Sequence, residues 1–170
     1  MKKLIFPLLL LAVAFAFNSC EKDVVRPLVA INGNFTNTPV PEAGFFEFLM
    51  QDGSTFLFPK KYAVDGTCNL YGDVNETKST LEFSNVSLDP VFMGFKGNCK
   101  IITVDSDGDE LIHVGEFFTF MDFSNKSYLH FEGGTGKWKD ADGWFNTTGQ
   151  LDPVTGVNTL SGAGEVTEPK

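Results

Sequence analysis

An all-β chain folded as an antiparallel, up-and-down barrel of about eight strands is what this sequence predicts, and three observations carry the prediction. Beyond residues 1–19 it has only five alanines, while its glycine-punctuated segments are dense in Phe, Val, Thr and Ile, the vocabulary of strands separated by turns. No window holds a sustained apolar stripe at i, i+3, i+4 and i+7 that is free of glycine or proline. Short Asp-Gly, Asp-Pro and Ser-Asn connections make consecutive strands antiparallel neighbours, and eight or more such strands hide their edges by closing on themselves.

Before the strands comes a targeting signal. Lys2 and Lys3 precede an apolar run from Leu4 to Phe17 that is too short to span a bilayer. The Phe17-Asn18-Ser19-Cys20 that follows resembles the lipobox of bacterial lipoproteins, which implies cleavage before Cys20 and lipid on its sulfur. An ordinary secretory signal is the alternative, and either one takes the chain out of the cytoplasm. Glu21-Lys22-Asp23 resembles the surface-export signals of some Gram-negative lipoproteins. The expected location is therefore the outer membrane, facing the periplasm or the surface. The chain divides into a signal over 1–19, a lipidated Cys20 with a linker or first strand over 20–40, and a barrel domain over 41–170.

The barrel strands follow in order. Phe45 to Met50 and Thr55 to Phe58 flank Gln51-Asp52-Gly53-Ser54, a hairpin built on Asp-Gly. Gly66 to Val74, Lys78 to Leu88, Met93 to Val104, Glu110 to Phe123 and Ser127 to Glu132 come next. Gly143 to Leu151 and Val157 to Thr167 are joined by Asp152-Pro153-Val154-Thr155-Gly156, with Pro at the second turn position. Thr80, Glu82 and Ser84 alternate with Leu81, Phe83 and Val86, which supports a filled interior. Glu110 to Phe123 breaks the alternation, with Ile112, Val114, Phe118 and Phe120 on one side and Leu111, Phe117 and Met121 on the other. Such a strand expects its outer side to be covered, by the N-terminal segment or by another subunit.

Composition narrows function by exclusion. The 170 residues carry 13 basic against 22 acidic side chains, a net charge of −9, which argues against a nucleic-acid binder. The processed chain from Cys20 has 151 residues and, without Lys2 and Lys3, a net charge of −11. That surface repels anionic headgroups, so membrane attachment rests on the acyl chains of Cys20. With Cys20 lipidated, Cys68 and Cys99 remain as an even pair in an oxidising compartment, the setting in which a disulfide persists. Two separately buried thiols are the alternative.

The run Phe131-Glu132-Gly133-Gly134-Thr135-Gly136-Lys137-Trp138-Lys139-Asp140-Ala141-Asp142-Gly143 resembles the Gly-Gly-Thr-Gly-x-aromatic-x-x-Ala-x-Gly signature of the allene oxide cyclase and dirigent-protein barrels. Ile102 to Leu111 is similar to the strand, Gly-Asp turn and strand before it, and Asn158 to Val166 to the closing strand. The resemblance covers about half of the processed chain. It implies an eight-stranded antiparallel barrel of that type, with a calycin-like barrel as the neighbouring option, and an association commonly trimeric in the plant members. The signature residues Gly133, Gly134, Thr135, Gly136, Trp138, Ala141 and Gly143 are a fold device: the glycines permit positive φ and close backbone approach at a corner, with Trp138 covering the gap.

Catalytic and metal motifs are weighed against plainer readings. Gly136-Lys137 fails as a phosphate loop, because Trp138 stands where Ser or Thr is required. Asp105, Asp107, Asp109 and Glu116 fall at calcium-loop positions 1, 3, 5 and 12, but Glu110 occupies the glycine position, so an acidic hairpin tip at Ser106-Asp107-Gly108-Asp109 is the expectation. His113 and His130 each read as structural or surface side chains. Glu82, Glu116, Glu132 and Tyr128 could line a barrel as acid or base, and their plainer reading is exposed strand faces. The five Asn-x-Ser/Thr matches are read as turn and strand composition. No catalytic residue, metal or cofactor is assigned. The expected function is binding or scaffolding at the cell envelope by a lipid-anchored barrel, with an apolar small molecule or a further copy of the chain as partner. The alternative is a cofactor-free cyclase or isomerase acting on an apolar small molecule inside the barrel. An open aromatic cavity with a buried carboxylate would favour the second, and a side-chain-filled interior the first.

Overall fold

The computed structural model describes residues 26–170 except Phe92. Eleven strands form in chain order: β1 (Leu28–Pro39), β2 (Phe45–Leu49), β3 (Thr55–Pro59), β4 (Lys61–Cys68), β5 (Gly72–Asp73), β6 (Thr80–Asp89), β7 (Gly94–Val104), β8 (Glu110–Phe120), β9 (Ser124–Gly134), β10 (Gly143–Leu151) and β11 (Asn158–Thr167). All pairings are antiparallel. The order β1-β11-β10-β9-β8-β7-β6-β4 returns to β1 through Gly33↔Cys68 to Pro39↔Tyr62, so eight strands close into a barrel. The predicted fold class holds.

Alternation fills the interior. Ile31, Phe35 and Asn37 of β1 are buried, while Asn32, Asn34 and Thr36 between them are exposed. Leu111, His113, Phe117 and Thr119 of β8 point in with Leu129 and Phe131 of β9 and Phe145 and Thr147 of β10. Along β6 the inward positions Leu81 and Phe83 are followed by Val86 at a spacing of three, and a bulge between Ser84 and Ser87, with Asn85 at φ 53°, absorbs the extra residue.

Both barrel ends are plugged. The β2–β3 hairpin forms its own two-stranded sheet and folds its phenylalanines onto one end. Phe48 and Phe56 lie 4.9 and 4.8 Å from Phe95, and Phe58 lies 5.5 Å from Phe117 between ring centroids. Gly53, at φ 82°, and the Asp52 carboxylate, which accepts from the Ser54 N–H and hydroxyl, make the Asp-Gly turn that the sequence predicts. Trp138, Tyr71, Val74 and Ala141 close the opposite end.

Several expectations are corrected. The strand expected over Gly66 to Val74 instead runs Lys61–Cys68, because the chain turns at residues 69–71 and returns as the two-residue β5. β9 begins at Ser124, three residues before the expected start, and reaches Gly134. Within 20–40, where a linker or first strand is expected, Leu28–Pro39 forms the barrel strand β1. That strand lies four places from β8 in either direction around the barrel, so the described N-terminal residues do not cover the outer side of β8. Residues 1–25, with Cys20 and the whole targeting signal, lie outside the described residues.

The expected bridge is also corrected: Cys68 and Cys99 are separate, buried free thiols. Cys99 pairs with Phe83, whose N–H bonds the carbonyl of Lys60, eight residues along the chain from Cys68. That offset is roughly 25 Å of strand, against the ~7 Å between Cα atoms that a disulfide tolerates. Burial pushes the Cys99 thiol up to about 12 and raises Cys68 as well, so neither is a ready nucleophile. Alkylation without reductant is expected to modify neither thiol in the native protein and both after denaturation; a mass that shows neither labelled in denaturant would contradict this placement.

Candidate functional site

Two arrangements hold the chemistry. The first lies inside the barrel, where inward positions of β1, β8 and β10 bring Asn37, His113 and Thr147 to one small cavity. Phe35, Val64, Ile101, Thr103, Phe145 and Leu160 complete its walls, and its volume is about 10 Å³. That is room for one water molecule. Four buried side-chain atoms at this cavity have no hydrogen-bond partner among the described residues: Asn37 Nδ2 and Oδ1, His113 Nδ1 and Thr147 Oγ1.

Thr103 holds His113 at the edge of this cavity. The Thr103 hydroxyl donates to the Leu111 carbonyl at 3.4 Å and accepts from the Tyr71 hydroxyl at 3.3 Å. His113 Nε2 lies 3.3 Å from the same hydroxyl, while Nδ1 has no partner among the described residues. Burial among Phe131 and Phe145, with ring centroids 4.8 and 5.6 Å distant, lowers the imidazole to about 3 and keeps it neutral.

A depressed histidine favours the neutral form in the folded state, so unfolding takes up a proton below the unfolded value of about 6.5 and stability falls as pH falls. The unfolding free-energy difference between wild type and His113→Leu, from urea titrations, is expected to shrink by about 1.4 kcal/mol per pH unit between about pH 6 and pH 4. A pH-independent difference would show that His113 is not held neutral.

The second arrangement is the corner at the Trp138 end. The β7–β8 turn puts Gly108 at φ 89°, and the Asp105 carboxylate accepts the N–H groups of Asp107 and Asp109, both at 2.9 Å. The 3₁₀ turn Gly136–Trp138 returns to this tip: Trp138 Nε1 donates to Asp105 Oδ2 at 3.2 Å, and Lys137 Nζ lies 2.7 Å from the same oxygen and 3.0 Å from Asp107 Oδ2. Burial acts to raise the Asp105 carboxyl, but the bonds from Lys137, the Asp109 N–H and Trp138 outweigh it and hold the group below its ordinary range. Lys137 is raised, chiefly by its bond to Asp105.

The signature glycines each serve this corner. A Cβ on Gly134 would stand 1.8 Å from the Glu110 carbonyl oxygen, and one on Gly136 would meet the Asp109 carboxylate at 1.9 Å. Gly133, at φ 79°, donates its N–H to the Ala141 carbonyl. Thr135 Oγ1 accepts from the Glu110 N–H, while the Thr135 N–H bonds the Glu110 carbonyl. A Cβ on Gly143, at φ 136°, would stand 2.1 Å from the Glu165 carbonyl oxygen.

The other residues singled out by sequence are scattered. Glu116, Tyr128, His130 and Glu132 stand on the outer faces of β8 and β9, and Glu82 on the outer face of β6 bonds Lys61 at 2.8 Å. Asp105, Asp107 and Asp109 meet at the hairpin tip around Lys137, and Glu116 is not among them. Among the described residues no group of three or more His, Cys, Asp or Glu side chains is placed to hold a metal ion. Asn37 and Thr147 were missed by sequence reasoning; the only available signal was polar residues at inward positions of otherwise apolar alternation, in Ile31-Asn32-Gly33-Asn34-Phe35-Thr36-Asn37 and Phe145-Asn146-Thr147.

No family model matches the chain, and neither does any curated protein. Among solved structures the chain is similar to the pterocarpan synthase dirigent protein PsPTS1, with a TM-score of 0.53 and 17% identity over 85% of this chain and 97% of that one. A second pterocarpan synthase dirigent protein, GePTS1, aligns with a TM-score of 0.49 and 14% identity over 85% of this chain and 92% of that one. At 17% identity the likeness to PsPTS1 is one of fold, the closed eight-stranded antiparallel barrel.

Proposed function

We propose that this chain is a lipid-anchored extracytoplasmic barrel that binds or scaffolds at the cell envelope through its outer surface. The observation that carries the reading is the interior: packed with side chains, plugged at both ends, with a cavity of about 10 Å³ beside His113. A cyclase or isomerase needs a pocket on the order of 300 Å³ around its substrate, together with an acid or base inside it. The one buried carboxylate of the described residues, Asp105, is instead tied up in the corner with Lys137 and Trp138.

The path of the chain supports anchoring at one end. Arg26 is held by the carbonyls of Glu168 and Asp140, at 2.7 and 2.6 Å, beside the Trp138 corner. Self-association is proposed for the outer side of β8, where Ile112, Val114, Phe118 and Phe120 are half-buried and Lys126 of β9 lies 5.7 and 5.4 Å over the Phe118 and Phe120 rings. Light scattering is expected to give a multiple of the chain mass.

The anchoring is tested by expressing the full chain and its Cys20→Ala variant with radiolabelled palmitate in a Gram-negative host. The wild type is expected to carry label and pellet with the outer membrane, and the variant to lose both, a drop of tenfold or more in membrane-bound protein. Unlabelled wild type, or a variant that still pellets with the membrane, would overturn the anchor.

A further inference from the structure

We infer that the outer face of β1, β11 and β10 docks a neutral polysaccharide. This rests on reading the barrel as a binder that works through its surface. Three cross-strand rows build the face: Asn32, Ala163 and Asn146; Asn34, Ser161 and Thr148; Thr36, Thr159 and Gln150. All nine are exposed. A shallow open groove of about 610 Å³ runs over Asn34, Thr36, Thr148, Gln150, Thr159 and Ser161.

The charge pattern singles out this face. Outward positions on the other barrel strands carry Lys61 and Asp65, Glu82, Lys96 and Lys100, Glu116, and Lys126 and Glu132, as expected of a chain with 35 charged side chains. The three rows carry none. Apart from Ala163, their side chains are hydroxyls and amides, which both donate and accept and therefore suit a ligand whose own groups are hydroxyls. An anionic ligand would find no counter-charge here, since the nearest charge on the face is Glu165 opposite Trp144, and a protein partner would find no apolar anchor at the centre. Asn is disfavoured in strands, yet Asn32, Asn34 and Asn146 occupy exposed strand positions that Thr or Val would fill at lower cost. Asn146 and Thr148 form no side-chain hydrogen bond among the described residues and are free to bond a ligand.

Trp144 supplies the apolar element. It lies two residues before Asn146 on the same outer face of β10 and is 44% exposed, and its Nε1 lies 3.4 Å from Glu165 Oε2, which steadies the ring. A large exposed aromatic ring beside hydroxyl and amide groups matches the alternation of C–H faces and hydroxyl edges on a sugar ring.

The two tryptophans make the test specific, since Trp138 is buried and Trp144 is not. The full chain in detergent is run through native gels containing a soluble glucan, mannan, xylan or galactan, with polygalacturonate as the anionic control, and iodide quenching of tryptophan emission is measured with the same polymers. At least one neutral polymer is expected to retard the protein and to lower iodide quenching at least threefold. Trp144→Ala and Thr148→Lys are each expected to remove at least 80% of the retardation without changing the unfolding midpoint. The inference is overturned by no retardation with any neutral polymer, by retardation only with polygalacturonate, by unchanged retardation in both variants, or by Trp144 shielded from iodide in a self-associated protein without polymer. Any of these would leave the Cys20 anchor and the filled interior standing, because neither enters the measurement.

Discussion

Gly134→Ala is expected to destabilise the barrel by on the order of 3–5 kcal/mol and to leave little folded protein at 37 °C. The added Cβ would lie 1.8 Å from the Glu110 carbonyl oxygen and 2.8 Å from its carbon, where β8 and β9 pair through Leu111↔Gly134. Both partners are backbone, so no rotamer change relieves the clash, and the strands must part at the point where the 3₁₀ turn leaves the barrel. Gly53→Ala is the control. Gly53 has φ 82° but nothing within 4 Å of an added Cβ, so it costs only the left-handed backbone strain of about 1–2 kcal/mol. Denaturant midpoints of the two variants separate the effects: equal losses would mean that close approach at Gly134 is not what its position demands.

Trp138→Ala is expected to cost about 3–5 kcal/mol, the range for removing a fully buried indole. Trp138 is 1% exposed and packs edge-on against Tyr71 with centroids 5.9 Å apart. It is also a donor to Asp105, so its loss weakens the set of bonds that holds that carboxyl low. Trp138→Phe keeps most of the packing and loses the N–H, for an expected cost of about 1–2 kcal/mol. The two variants also differ in pH behaviour. A depressed carboxylate contributes stability that is present above its unfolded value near 4 and is lost as pH falls through the folded value. Wild type should therefore lose stability more steeply than Trp138→Phe as pH drops below about 4, measured by urea unfolding. Parallel curves would mean that the indole N–H does not help hold the Asp105 charge.

The corner shows why parts of this molecule were legible in the sequence. Gly133, Gly134 and Gly136 are informative because a glycine run bounded by Phe131 and Trp138 has few uses other than a tight backbone crossing. The Asp52-Gly53 and Asp152-to-Gly156 turns were legible for the same local reason. The 81, 83, 86 spacing in β6 is a bulge written as a skipped beat. Non-local features were not legible. Nothing near Cys68 or Cys99 says that eight residues of strand offset them, because that offset follows from how β4 and β6 slide past one another. β4 was misplaced because Gly66, at φ 147°, sits inside a strand where the sequence suggests a boundary. The interior triad of Asn37, His113 and Thr147 comes from strands far apart in the chain, and only barrel closure brings the three to one cavity.

The central claim is that the interior is closed and filled while the chain hangs from the membrane by lipid on Cys20. Native mass spectrometry of the protein extracted from membranes in mild detergent tests both halves at once. The account predicts a mass equal to residues 20–170 plus acyl chains, with no further small molecule held by the folded barrel. A mass that retains residues 1–19, or an apolar compound that rides with the folded chain and is released on unfolding, would contradict it.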